Sequence, residues 1–369
     1  MASRPHFSVA IDRCLTNMTL TPHLDGIFVS FKNATAHWTE AQWRTDIRSM
    51  QAVSMSFFVI AHTAVIIGNA TTACPSGVYE AYFPPPPSHA ACFKQIGDLD
   101  APGGTVGNVL RAASAVGLDV HIGLGLVEHG FGLDDWSSLA QIRAFATTQA
   151  LLARQLFAIS NASASVTGFY TVVEESNGWT WMENIDDFAH HYLNPVAADI
   201  KSMRSDLLVW SSPYAVANRT RYPATEWLPP AVYSELWEMA FLFAPAFDHV
   251  AQQDSMGALA NSLGDVREIL GNLSAASARQ RRALWSNVEL FEVWPRSCQW
   301  PQPCHGRHPA PFARIRAQLA NEAALVGPNG QLIAWEWSSC LSPNNGSSQW
   351  PGETRANYDE YRRYLQGGA

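Results

Sequence analysis

Short apolar runs alternate with stretches of helical period over most of the chain. The first run is LDGIFVSF, Leu24 to Phe31, and a helix then opens at Thr39 and Glu40 and reaches about Met50, with Thr39 as its capping residue. The second run, MSFFVIAH from Met55 to His62, leads into a long segment with two cysteines and the tetraproline Pro84 to Pro87, which neither a helix nor a central strand accommodates. A helix from about Thr105 to Val116 precedes the third run, LDVHIGLGL at Leu118 to Leu126. An Ala-rich helix follows, with Ile142, Phe145, Leu152, Leu156 and Ile159 on one stripe, and delivers the chain to the fourth run, Val166 to Glu175. Helices near Ile185 to Arg204, Ala231 to Phe243, Leu259 to Leu273 and Pro311 to Leu325 then separate four more runs: LLVWSSPY at Leu207, HVAQQD at His249, Ala283 to Glu292, and LIAWEW from Leu332 to Trp337. A polar tail around Tyr358 to Leu365 supplies the last helix.

Strands alternating with helices at this spacing imply a parallel sheet, and eight such units predict an α/β fold, a single closed (β/α)8 TIM barrel covering residues 1–369. A leading segment of about 1–23 precedes it, and about 63–103 reads as a loop inserted above the carboxyl face. No GxGxxG or Walker loop follows an early strand, which removes the commonest open-sheet alternative.

Helices cover the outside of such a barrel, so outward positions must be apolar while polar ones point inward or lie at the carboxyl rim. In the seventh run Leu284, Val288 and Leu290 go out and Trp285, Asn287 and Glu289 go in. In the third, Val120, Ile122 and Leu124 go out, leaving His121, Gly123 and Gly125 inside, where the glycines make room for a ligand or a bulky neighbour. In the first, Ile27, Val29 and Phe31 go out and Gly26, Phe28 and Ser30 go in; in the fourth, Tyr170, Val172 and Glu174 share one parity. Glu174 and Glu289 thus end strands that face one another across a barrel mouth, the arrangement in which one acid protonates a glycosidic oxygen while the other attacks or activates water. The competing structural reading has each carboxylate bonding backbone amides or an arginine at the rim. Asp254 in QQD could orient a hydroxyl or serve as second carboxylate, or equally cap the next turn; Glu175, Glu292 and Glu336 read as structural rather than reactive.

Composition narrows the partners. With 47% hydrophobic residues the chain can bury a large core, and a formal charge of −8 lacks the clustered Lys and Arg a nucleic-acid backbone requires. The longest apolar run, near Phe57 to Gly68, is broken by His62 and Thr63, so no membrane span is expected. Of the 14 tryptophans, Trp179, Trp181, Trp294, Trp300, Trp335 and Trp337 lie at or beyond strand ends, where flat faces with an N–H suit stacking on sugar rings. His62, His121, His129, His190 and His191 show no metal-ligand spacing, no GxSxG elbow is present, and no metal or cofactor is expected. Six cysteines pair most naturally as Cys74–Cys92, Cys298–Cys304 and Cys14–Cys340, one arrangement among fifteen. Sequons at Asn17, Asn33, Asn69, Asn161, Asn218, Asn272 and Asn345, all but Asn69 reading as surface turns or helix ends, predict a secreted or lumenal, N-glycosylated monomer. The start MASRPHFS carries no apolar signal core, so the sequence reads as a mature form with an added Met.

The succession LDGIFVSF, WTEAQW, the YFP of the second loop, VHIGLGL, GFYTVVEE, QQDSMGA and LWSNVELFE resembles the glycoside-hydrolase-like TIM barrels known as domain of unknown function 4434, over roughly Leu24 to Trp337. The resemblance implies a barrel acting on carbohydrate with Glu174, Asp254 and Glu289 near the site; the loops from Thr71 to Cys92 and PRSCQWPQPCHG depart from the family pattern. The expectation is a glycoside hydrolase with Glu174 as general acid/base and Glu289 as nucleophile or base. Asp254 and Gln253 would assist, and Tyr170, Asn287, Trp285, Trp179, Trp181, Trp335, Glu336, His62 and His121 would line the substrate. A carbohydrate-binding barrel without catalysis and a transglycosylase are the alternatives.

Overall fold

A computed structural model describes residues 21–31, 35–68, 78–85, 87–126, 138–160, 163–178, 182–223, 226–294, 306–344 and 348–367. Eight parallel strands close into a barrel: β1 (Gly26–Val29), β2 (Phe57–Ile60), β3 (Asp119–Gly123), β4 (Val166–Tyr170), β5 (Leu208–Ser211), β6 (His249–Gln253), β7 (Leu284–Glu289) and β8 (Leu332–Trp335). Each pairs with its sequence neighbours, and β8 returns to β1 through Gly26 opposite Ile333 and Ile27 opposite Ala334. The helices outside are α1 (Glu40–Gln51), α2 (Gly104–Val116), α3 (Leu139–Ile159), α4 (Asn194–Met203), α5 (Pro230–Phe243), α6 (Leu263–Arg279), α7 (Phe312–Ala323) and α8 (Pro351–Leu365). Thr39 caps α1 in a reciprocal box with Gln42, as the sequence predicts.

Two boundaries differ from expectation. α6 starts four residues later than Leu259 and runs six past Leu273, because Ser262 and Asp265 form a capping box that fixes its start. Asn272 is therefore inside a helix, its side chain bonded to the Glu268 carbonyl at 2.8 Å, and is not at a helix end. The segment expected as a plain loop above the mouth builds a small sheet of its own from residues 64–68, 78–81, 93–95 and 125–126. Of the six cysteines, Cys92 and Cys340 lie within the described residues; Cys92 is disulfide-bonded and Cys340 is buried, while Cys14, Cys74, Cys298 and Cys304 lie outside them.

The barrel interior is filled by aromatic and histidine rings. Phe57 stacks on His121 at 4.6 Å, Trp285 lies 4.0 Å from His249, and the Trp210 indole N–H donates to His121 Nδ1 at 2.9 Å. Above them Phe28 meets Tyr170, Trp210 and Trp335 with centroids 5.1, 5.8 and 5.0 Å apart. These contacts place Phe28, His121, Tyr170 and Trp285 inside. Glycines admit the rings: a Cβ on Gly26 would stand 2.4 Å from the Phe57 ring, and one on Gly168 about 3.0 Å from His121. Gly123 serves another purpose, since a side chain there would strike the Ile60 and Ala61 carbonyls at 2.3 and 2.5 Å. Its cost-free approach is to backbone and leaves no space for a ligand. Among the described residues, no helix is long and apolar enough to cross a membrane.

Gly26→Ala should therefore overpack the interior and destabilise by about 1–3 kcal/mol. Gly271→Ala, in the exposed middle of α6 where a Cβ meets nothing, should instead stabilise by about 0.5–1 kcal/mol. Thermal melts of the two variants check both; an unaltered Gly26→Ala melt would mean that the Phe57 ring has room to move.

Candidate active site

Ladder pairing of β4 stops at Tyr170, and the chain leaves the barrel through Thr171, whose N–H reaches the Trp210 carbonyl at 3.0 Å. Val172 then adopts φ 59°, a left-handed conformation that costs a β-branched residue of order 1–3 kcal/mol. The chain is caught again where Tyr214 N–H donates to the Glu175 carbonyl at 2.8 Å and Ser176 bridges Tyr214. Two adjacent carboxyls are divided by this path. Glu175 turns outward, fully buried between Ser211 of β5 and the rings of Tyr192 and Tyr233, and burial pushes it up to about 8, with the Glu174 charge adding to the effect. Glu174 is half-buried, and its charge adds to burial in raising the phenols of Tyr170 and Tyr214, the latter to about 12.

At the end of β7, Glu289 is 5% exposed and pairs in register with Trp335, whose ring faces Phe28 inside the barrel. Its Oε2 accepts the Ala258 N–H at 2.9 Å, from the turn that follows β6. Burial and the neighbouring Asp254 raise its pKa to about 7, against that backbone bond and the Arg307 and Arg314 guanidiniums. Asp254, also buried, faces the other way. Its Oδ1 accepts the N–H groups of Met256 at 3.0 Å and Glu289 at 3.2 Å, and its Oδ2 is held by the Gln318 amide of α7. Glu322, one turn further along α7, is bonded to Ser286 Oγ at 2.5 Å and is pushed well up by burial and then by Asp254. Arg314 closes this group by donating to the Glu289 and Phe291 carbonyls at 2.9 and 2.6 Å. Asp254 thus sets the backbone that carries Glu289, and its own oxygens are taken by protein donors behind the strands.

Between the two glutamates the rim carries Tyr214, which bridges Gln253, then Gln253 with its amide on the Ser212 carbonyl at 2.7 Å, then Asn287 with its amide on Ser212 Oγ at 2.9 Å. Asn287 Oδ1 is buried without a hydrogen-bond partner among the described residues, and Ser255 beside Asp254 is left-handed at φ 53°. A buried polar atom left open beside a strained backbone at the barrel mouth is consistent with a site built for a ligand. His62 follows β2 with its ring 6.3 Å from Tyr82, and burial lowers its pKa to about 4.

Three predicted substrate contacts lie elsewhere. His121 and Trp285 are deep in the ring-filled interior, because inward parity low on a strand leads into the core and away from the mouth. Glu336 is buried and caps the short helix Trp337–Cys340, its oxygens on Ser339 N and Oγ at 3.2 and 3.0 Å. Trp179 and Trp181 lie outside the described residues. Tyr214, Arg307, Arg314, Gln318 and Glu322 went unnoticed in the sequence. Gln318 and Glu322 had a signal: they interrupt the core-facing stripe of α7 shared by Ile315 and Leu319. Among the described residues, no group of three His, Cys, Asp or Glu side chains is gathered to hold a metal.

The family model described as Domain of unknown function (DUF4434) matches residues 24–347. Among solved structures, the chain resembles a candidate alpha-L-fucosidase from Bacteroides thetaiotaomicron, with 17% identity, TM-score 0.69, and 94% of this chain and 96% of that one covered. It also resembles the exo-beta-1,4-mannosidase Op5Man5 from Opitutaceae bacterium strain TAV5, with 13% identity, TM-score 0.52, and 93% of this chain and 59% of that one covered, so it spans less than two thirds of that protein. No curated protein matches it in sequence.

Buried acids and buried histidines give the pH response two opposing limbs. Glu175 and Glu289 have folded pKa values raised to about 8 and 7 from 4.5, so the stability they confer is complete below 4.5 and is lost as pH rises through 7 to 8. His62 and His121 are lowered to about 4 and 3 from 6.5, so their contribution is complete above 6.5 and is lost as pH falls towards 3. Melting temperature followed by circular dichroism from about pH 3 to 9 should peak between about 4.5 and 6.5, and Glu175→Gln should flatten the alkaline limb alone. A melt that rises steadily to pH 9 would contradict the assignment.

Proposed function

We propose that this chain, which belongs to the family described as Domain of unknown function (DUF4434), is a glycoside hydrolase acting through paired carboxyl groups at the barrel mouth. The observation that carries the reading is Glu289, a buried carboxyl at the carboxyl end of β7 whose pKa of about 7 keeps it partly protonated near neutrality. A carboxyl in that range can give a proton to a glycosidic oxygen, whereas one at the ordinary value is already ionised. Glu289 is accordingly the general acid, and Glu174, half-buried beyond the end of β4, is the nucleophile or base, the reverse of the roles the sequence suggests. Gln253, Asn287, Tyr170 and Tyr214 stand between them to hold sugar hydroxyls, and Trp335 offers a half-buried ring beside Glu289. Asp254 positions Glu289 through its backbone N–H.

The fold shared with a candidate fucosidase and a mannosidase supports this chemistry without naming the sugar. The seven sequons and the even cysteine count support a secreted or lumenal protein, with Asn218 exposed on the loop after β5 as an accessible glycan acceptor.

Purified protein screened against a polysaccharide panel should release reducing sugar. Glu289→Gln and Glu174→Gln should each lower kcat/KM by roughly 10²-fold or more, as loss of a positioned acid or base does. Full rate in either variant removes that residue from its role. Glycan binding by wild type without any cleavage points to a carbohydrate-binding barrel, and product transfer to acceptor sugars in preference to water points to a transglycosylase.

A further inference from the structure

The rim beside Glu289 carries an arginine that no carboxylate pairs with among the described residues. Residues 291–294 turn back directly from β7 and pair antiparallel with 306–309, which sets Arg307 opposite Val293 and lays its guanidinium over the Phe291 ring, 4.4 Å from the centroid. Arg307 is exposed, and no carboxylate makes an ion pair with it among the described residues. Arg314 makes the contrast plain, for it is spent on the Glu289 and Phe291 carbonyls and faces Glu292 at 3.6 Å. From the other side, the loop after β5 brings Tyr222 over the same spot. Its hydroxyl donates to the Ala258 carbonyl at 2.7 Å, and the Ala258 N–H is the group that holds Glu289. Arg221 lies against the Tyr222 phenol, and Arg219 is fixed to the same loop through the Trp227 carbonyl at 3.1 Å. Ala258 therefore ties Tyr222 to Glu289, and the strand that follows Glu289 directly carries Arg307 on its partner.

We propose that Arg307, assisted by Arg221, is a specificity residue that receives an anionic substituent, a carboxylate or a sulfate ester, on the sugar bound next to Glu289. This deepens the hydrolase reading and rests on it. An exposed guanidinium 4.4 Å from the centroid of a buried ring is localised by that contact, and a planar guanidinium suits a two-point contact with a carboxylate or sulfate. Simple neutralisation of Glu289 is a poorer account of it, because Glu289 remains raised to about 7 with Arg307 nearby. Nor would general attraction serve: the chain carries a net charge of −8, so an arginine at the mouth works against the field of the whole molecule and must act locally.

The test uses matched ligands that differ only in charge: polygalacturonate against its methyl ester, and a sulfated galactan against the same chain after desulfation. Binding is measured by calorimetry at low and high salt on the full chain and on Glu289→Gln, so that cleavage is not needed for the readout. At least one charged ligand should bind tenfold or more tightly than its neutral match, and the pair that shows this tells carboxylate from sulfate. Arg307→Gln, with its melt unchanged, should abolish that preference without weakening the neutral ligand, and Arg307→Lys should restore part of it. Equal binding of charged and neutral partners, or a preference that survives Arg307→Gln, overturns the proposal. Cleavage of neutral glycans without charge preference overturns this inference and leaves the hydrolase reading standing; charge preference without cleavage of any substrate does the reverse.

Discussion

Closure of the sheet is the constraint on which everything else rests. β8 must find β1 across more than 300 residues of chain, and the seam is fixed by polar bonds as well as by strand pairing. The Asp25 N–H donates to the Leu332 carbonyl at 2.7 Å while the Asp25 carboxylate accepts the Leu332 N–H at 2.8 Å. The Tyr361 hydroxyl of α8 accepts the Leu24 N–H at 2.7 Å, and buried Asp46 of α1 takes the Trp337 indole N–H at 2.8 Å and the Ser342 hydroxyl at 2.7 Å. With the Asn344 amide at 3.3 Å as its third donor, this buried carboxylate is specific about its partners, since leaving any of them unmade strands a polar group in the core. Once the ring is shut, β4 and β7 are placed around one mouth whatever lies between them in sequence.

The second layer of organisation is the segregation of acids between the two sides of the strands. Glu175, Asp254 and Glu322 lie behind the barrel among helices, where burial raises all three, and Glu289 lies on the barrel side. One carboxyl behind the strands shapes one in front through a backbone bond, Asp254 accepting the Glu289 N–H, while the main chain at Glu175 is fixed by the Tyr214 N–H on its carbonyl. Such a design has an energetic cost in desolvation, and the left-handed Val172 and Ser255 add strain at the same end of the barrel. At the mouth these costs surround Glu289, above an interior that is a stack of well-packed rings.

Some of the site could be read from residue order alone. Period-two alternation in LWSNVE separates Asn287 and Glu289 from Val288, and the rule is reliable there because β7 stays regular to Glu289. In β4 the same rule reaches only Tyr170. Beyond it the separation of Glu174 from Glu175 is produced by the Val172 turn, which alternation does not foresee. Parity also says inward without saying how deep, so His121 and Trp285 looked like rim residues when they are core. For Asp254 the sequence left two readings open, and the cap of the next turn is visible in the Met256 N–H bond, but its partners Gln318 and Glu322 arrive from a helix more than sixty residues later, and no local pattern joins them.

What the sequence determined by itself is the set of elements, their parallel alternation and hence the barrel, because helix and strand periods and capping boxes are decided within a few residues. Tertiary structure alone decided which carboxyls face the mouth, how deeply they are buried, and that Ala258 ties Tyr222 to Glu289. Those properties depend on the distance and dielectric between side chains far apart in the chain, and such distances do not exist until the ring has closed.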